Sequence, residues 1–464
     1  MKLKPTIIDI CAFLLCAIFI TAGIIVSLHR FWQYEASYID FGQYDQAIWK
    51  VSRFQEPIVD HFIHGKINVL GDHVTPSIFL ISPLYWFTDK SEMILIVQAI
   101  AAGLSGLVLY DIAKTVLKRG LLSLSVLISY FLFVGLQNAV ITEFHELTVM
   151  TLPLMLTIWA ITKNKTVLYF IFLVITLGFK EVIFSLGVGI GVAIFLLNKR
   201  WRKIGIATIL ISSLWGFIAF KIIIPHFSKD GYLYASSFPD SFTGILFSFV
   251  DHPEKRRTLS FSFLSFLYLP IFAPEFWLMI IQDYASRFIP QNFVTRWNLG
   301  MHYNAESAVI LATSSVYGLK YLLKYSLFKK YTTLIAIILI VNSLFLFRFV
   351  LHGPFMLALN PSFYKHTAEL NFLNDLVKKI PKNASVMSQN NLASHLTHQD
   401  VKLVSADYKI IKPEYILIDI REGQNPNDYY GTTDIKDVNN EILIDPNYKV
   451  IYKTKEQFIF RRIK

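Results

Sequence analysis

Residues 167–197 read VLYFIFLVITLGFKEVIFSLGVGIGVAIFLL, an apolar run interrupted by one adjacent ionic pair, Lys180 and Glu181. As one helix the run would be roughly 46 Å long, against a hydrocarbon core of about 30 Å, so a single crossing is too few. Its flanks, TKNK and NKRWRK, are both basic, and short basic loops stay cytoplasmic. Both ends then lie inside, and the run is a hairpin with Lys180 and Glu181 near its outer tip. Each arm has about 13 to 16 residues, short for a full crossing, which sinks the tip below the outer headgroups.

Other apolar runs near residues 8–28, 92–113, 121–138, 147–161, 204–224, 304–323 and 331–351 each approach the length of a spanning helix. A further stretch, LSFSFLSFLYLPIFAPEFWLMIIQDY, is broken by Pro270 and Pro274 and reads as a second hairpin. The total is about eleven spans. With 54% hydrophobic residues and only 17% charged, and a mean hydropathy of +0.47, this is an all-α polytopic membrane protein. The net charge of +11 comes from basic residues in the short loops, so it does not point to nucleic acid. Cys11 and Cys16 share the first span, on different faces, and are packing residues with no disulfide framework. That span reads as retained, since no small-residue cleavage site follows it.

The parity of spans makes every basic loop cytoplasmic: MKLK, AKTVLKRG, TKNK, NKRWRK and KYLLKYSLFKKY. The N-terminus is then cytoplasmic, in the plasma membrane. The segments left outside carry the carboxylates and histidines, and function is expected on that face. Residues 1–351 form the membrane domain, with a large first external loop over 29–91 and interfacial helices. Residues 352–464 are polar and read as a small extracytoplasmic α/β domain: a helical pattern in AELNFLNDLVKKI, strands in ASVMSQ, VKLVS and EYILIDI, and a hairpin in YKVIYKTKEQFIFRR. Neither G-x-G-x-x-G nor a P-loop is present.

In the first loop, YIDFGQYDQAIW, a helix over 41–53 puts Phe41, Tyr44, Ile48 and Val51 on one face and Gln43, Gln46 and Lys50 on the other. Asp45 falls about 40° from Phe41, on the apolar side, where a carboxylate is costly unless paired or used. Asp40 precedes the helix, as a cap or an open acid. Asp72 and His73 enter a proline-broken apolar run too short to span; they could be a base and its partner, metal ligands or a polar loop. ITEFHEL brings Glu143, His145 and Glu146 to an outer boundary without any identifying zinc spacing. Lys180 and Glu181 are adjacent, cannot face each other, and need separate partners; a lysine at that depth suits a phosphate or snorkels. Arg287, Arg296, Trp297 and His302 lie in a later external loop, where arginine suits phosphate contacts and lipid headgroups alike.

The segment IDFGQYDQAIW, with Asp40, Asp45, Gln46 and Trp49, resembles the fDlgiydQalW-like motif of a family of predicted prokaryotic membrane proteins. GDHVTPSIFLISPLYWF, TEFHELTVMTLPLML, FKEVIF, MHYNAESAV and VMSQNNLASHLTHQ are similar pieces. The overall plan resembles the GT-C glycosyltransferases, membrane enzymes that transfer sugars from polyprenyl-phosphate donors. That resemblance implies Asp40 or Asp45 as the acid/base group, with His73, Glu143 and His145 as further catalytic candidates. It implies that Lys180 or an external Arg binds the donor phosphate and stabilises the leaving group; Gln46, Trp49, Asp72, Glu146, Lys180, Glu181, Arg287, Arg296 and His302 are the substrate-binding candidates. The partners implied are a polyprenyl-phosphate-linked sugar, a lipid or envelope glycan or protein acceptor, and membrane lipid. The tight acidic pair of several GT-C families is missing here, which leaves a divalent metal, Mg or Mn, open as cofactor. Two other readings stay open: a transporter or flippase for a lipid-linked or polar solute, and a non-catalytic membrane scaffold.

Overall fold

A computed structural model of the chain describes residues 5–61, 65–234, 237–404, 407–422 and 434–463. Packing divides it into two compact units. One comprises Met1–Val26, Leu70–Ile78 and Ile96–Leu359; the other comprises Ser27–Val69, Phe79–Leu95 and Asn360–Lys464.

The first unit is helical. Among the described residues, Ile7–Trp32, Glu92–Leu117, Lys199–Phe227 and Thr332–Val350 are long and apolar enough to cross a membrane; Gly120–Leu132 and Val134–Ile141, bent by 48°, add one more if taken as a single span. The remaining apolar segments form shorter helices, among them Glu146–Thr162, Thr166–Leu177 and Ile183–Leu197. The long run therefore does break, at 178–182, and the turn carries Lys180 and Glu181. The proline-broken stretch divides in the same way, into helices Pro253–Ser265 and Trp277–Phe288 joined through two 3-10 turns. Proline cannot donate the hydrogen bond that would continue a helix. Helix Ile183–Leu197 packs closely on Arg202–Ile218 because both present glycine: a Cβ on Gly205 would meet the Gly191 carbonyl at 2.6 Å.

The second unit begins with a π-turn, Tyr38–Gly42, that leads into helix Gln43–Ser52. An antiparallel hairpin follows, β1 (Ile58–His61) and β2 (Gly65–Asn68), which the sequence reading did not anticipate. Its larger part is a five-stranded mixed sheet of β3 (Val386–Ser388), β4 (Val401–Leu403), β5 (Tyr415–Asp419), β6 (Tyr448–Lys453) and β7 (Gln457–Arg462), in the order β4-β3-β5-β7-β6. β3 runs parallel to β4 and β5; β7 is antiparallel to β5 and β6. The strict period of two in β5 explains how the sheet is covered on both sides. Leu417 packs with Tyr38, Leu373, Leu376 and Val386, while Ile416 and Ile418 pack with Val438, Ile442 and Phe460. The helix Ile435–Leu443, which supplies Val438 and Ile442, is a second element that the sequence reading missed.

Candidate functional site

In the first unit, the interruptions of the apolar runs converge. Lys180 and Glu181 sit on the turn between two short helices and turn to different partners, as adjacency requires. Lys180 Nζ donates to Glu146 Oε1 at 2.7 Å. Glu181 Oε1 lies 3.0 Å from His73 Nδ1 and accepts the Tyr232 hydroxyl at 3.0 Å, while its Oε2 accepts the Val74 amide at 3.0 Å. Glu146 and Glu181 are buried, and both therefore need such partners. One oxygen of Glu146, Oε2, has no hydrogen-bond partner among the described residues.

Around this core lie three histidines. The ring of His73 stacks on Tyr234 at 4.4 Å. His145 and His302 stack face to face, with centroids 3.4 Å apart. His145 is fixed by its backbone: its amide donates to Gln98 Oε1 at 2.8 Å, and Gln98 Nε2 donates to the carbonyls of Val140 and Glu143. Burial, then the neighbouring His145, Lys180 and Arg296, hold His302 well below the ordinary histidine range, so it is neutral. Burial and Lys180 also disfavour the charged form of His73, but Glu181 and Asp72 outweigh them and raise its pKa.

Arg296 completes the cluster. Its guanidinium lies 3.9 Å over Phe293 and within 6.0 Å of the rings of Tyr234 and Tyr303. It has no ion-pair partner among the described residues, and its buried Nε is unbonded. Arg287 is the opposite case. It is 3% exposed and held by Asp283 at 3.3 Å, Asn304 at 3.0 Å and Ser307 at 2.9 Å. Its two terminal nitrogens are engaged within the helix packing, while its buried Nε, like that of Arg296, is unbonded among the described residues.

The second unit holds the two aspartates of the opening motif, in contrasting positions. Asp45 is 0% exposed, on the apolar side of its helix as the periodicity demands. Its carboxylate accepts the hydroxyls of Tyr85 and Thr397, and Oδ2 lies 3.1 Å from His398 Nε2. The other nitrogen of His398 lies 3.4 Å from Asp89, and the ring stacks on Trp49 at 5.0 Å. Trp49 in turn donates its indole N–H to Asp89 at 2.7 Å. The expected polar face is also covered: Gln46 accepts from Tyr38 and donates to the Gln399 carbonyl, both at 2.8 Å. Gln46 and Trp49 thus both make contacts within their own unit. Asp40 is exposed at the π-turn, where the Ser37 hydroxyl caps its amide.

The structure brings the sequence candidates His73, His145, Glu146, Lys180, Glu181, Arg296 and His302 together, with Asp72 and Glu143 on the same loops. Sequence reasoning missed Gln98, Tyr85, Tyr232, Thr397 and His398. The last two sit inside the quoted motif VMSQNNLASHLTHQ, but nothing in a local pattern announces a contact to Asp45. Among the described residues no three His, Cys, Asp or Glu side chains converge as a metal shell would need.

The fold has solved relatives. The crystal structure of ArnT from Cupriavidus metallidurans bound to undecaprenyl phosphate is similar to this chain with a TM-score of 0.51 at 10% identity, over 97% of both chains. The apo structure of the same protein gives 0.53 at 11%, again over 97% of both. The resemblance to the GT-C plan is therefore borne out as a likeness of fold. No curated protein matches the chain in sequence. The family resemblance read from the motifs is borne out too: the model described as "Predicted membrane protein (DUF2079)" matches residues 30–458, and the chain belongs to that family.

Proposed function

We propose that this protein is a membrane glycosyltransferase that moves a sugar from a polyprenyl-phosphate donor to a lipid or cell-envelope acceptor at the outer face of the plasma membrane. The observation that carries the reading is Arg296, a guanidinium braced by aromatic rings, without a carboxylate partner among the described residues, beside the buried pairs His73–Glu181 and Lys180–Glu146. A cation held in place and left unpaired is what an anionic group would bind. The likeness to a protein crystallised with undecaprenyl phosphate supports a lipid phosphate as that group.

In the proposed reaction an acceptor hydroxyl attacks the anomeric carbon. A carboxylate takes its proton, the bond from that carbon to the phosphate oxygen breaks, and polyprenyl phosphate leaves with the electron pair. Arg296 offsets the charge on the leaving phosphate, with Lys180 as a second cation. Access supports one of the two aspartates over the other: Asp45 is buried with its oxygens occupied, whereas Asp40 is exposed. We therefore assign the base to Asp40 and treat Asp45 as a positioning residue. The N-terminus is assigned to the cytoplasmic side and the C-terminal sheet region to the outside, from the basic loops.

The test is transfer of labelled sugar from polyprenyl-phosphate donors by the purified full chain. Asp40→Asn should lower kcat by roughly 10²- to 10⁴-fold with the donor KM unchanged. Arg296→Ala should raise the donor KM by about tenfold or more. Undiminished transfer by Asp40→Asn would remove the base assignment. Absence of transfer from every donor, with solute or lipid movement in proteoliposomes instead, would overturn the enzyme reading in favour of a transporter.

A further inference from the structure

The second unit contains a cavity of about 390 Å³ that plays no part in the reaction proposed above. It lies where β5 begins and β7 ends, positions joined by the register pair Tyr415 and Arg461, and the segment leading into β3 lines its other side. Its polar lining is Asn383, Glu414, Tyr415, Arg461 and Arg462. The volume falls in the range of small-molecule sites, roughly 300–1,000 Å³.

The two arginines differ in what they already do. Arg462 donates to the Lys412 carbonyl and so belongs partly to the scaffold. Arg461 lies 5.9 Å over the Tyr415 ring and has no ion-pair partner among the described residues. Glu414 lines the same cavity without pairing with either arginine, its amide being tied to Ser385 at 3.0 Å. Two guanidiniums against one carboxylate leave the lining with an excess of one positive charge. A fork of donors suits a phosphate; the separate carboxylate and the Asn383 amide suit hydroxyl groups on the same ligand.

We propose that this cavity binds a phosphorylated sugar, free or as a unit of an envelope polymer. The phosphate sits on Arg461, with the charge of Arg462 beside it, and sugar hydroxyls reach Glu414 and Asn383. The site stands at the start of the parallel strands β3 and β5, the end opposite to that used by nucleotides in open α/β sheets. A nucleotide is therefore not the ligand inferred.

Isothermal titration calorimetry on the full chain in nanodiscs tests this with three probes: glucose 1-phosphate, inorganic phosphate, and glycerophosphoglycerol, the bare headgroup of an anionic lipid. Glucose 1-phosphate should bind about tenfold more tightly than inorganic phosphate. Arg461→Ala should weaken both by at least about tenfold at an unchanged melting temperature, and Glu414→Gln should weaken only the sugar phosphate. Should the alanine variant not fold, Arg461→Lys serves instead, with a loss of several-fold expected because a point charge replaces the fork. No heat from glucose 1-phosphate, or binding indifferent to Arg461, overturns the proposal. Binding of glycerophosphoglycerol in its place overturns it in favour of a lipid headgroup.

Discussion

Thr397 reaches Asp45 across 352 positions of chain, and His398 follows it to the same carboxylate. The imidazole stands between two acids. Asp45 and Asp89 face its nitrogens, Trp49 covers one face, and Tyr85 meets its edge at 5.2 Å. Burial disfavours the imidazolium, yet Asp45 and then Asp89 outweigh it and raise the pKa above the ordinary 6.5. A raised folded value means that the stabilisation is fully present below pH 6.5 and is lost as pH climbs through that raised value. Thermal unfolding of the wild type should therefore show a falling melting temperature over this alkaline limb, and His398→Ala should flatten it. The variant should also lose about 1–3 kcal/mol, the cost of leaving a buried acceptor short of a partner. A wild-type profile no steeper than that of His398→Ala would rule out the charged contact. The burial of Asp45 was legible from helical periodicity alone. Its partners were not, since a hydrogen bond between residues so far apart in sequence leaves no trace in local spacing.

At the scale of elements, the sequence announced breaks better than it announced partners. A run too long for the bilayer had to be interrupted, and two prolines had to end a helix; both interruptions are present. The helix Ile435–Leu443 was harder to see because its apolar positions, Ile435, Val438 and Ile442, are few and only the sheet completes their burial. Hairpin β1–β2 has a short apolar pattern of the kind that strands and helices share. Close approach between elements is equally silent in sequence. A Cβ on Gly318, in helix Asn304–Leu322, would lie 2.1 Å from the Leu269 carbonyl, whereas on Gly120 it would meet only the end of the Ile8 side chain, at 3.1 Å. Gly318→Ala should therefore lower the yield of folded protein and its melting temperature by several degrees, while Gly120→Ala should be much milder. Equal effects would mean that the backbone contact at Leu269 does not constrain these elements.

For the whole molecule, the basic loops make a prediction that side-specific labelling can check. The native cysteines are Cys11 and Cys16, both in helix Ile7–Trp32, so single reporters can be placed on a background of Ala at these positions. Ser326→Cys, in the loop KYLLKYSLFKKY, should react with an impermeant maleimide only after the cells are opened. Lys382→Cys, before β3, should react on intact cells. Labelling of Lys382→Cys only in opened cells would reverse the assigned sidedness.

The helices on either side of Lys180 have a further physical consequence. Thr166–Leu177 has 12 residues and Ile183–Leu197 has 15, lengths of about 18 and 23 Å in a bilayer whose core is about 30 Å. Under the assigned topology, the lipid beside this turn has to stretch inward to cover them, at a fraction of a kcal/mol per ångström. The outer leaflet is then dimpled at the cation cluster. Under the proposed function, elastic deformation of the membrane, as well as movement of the protein, would bring phosphate headgroups down towards Lys180 and Arg296.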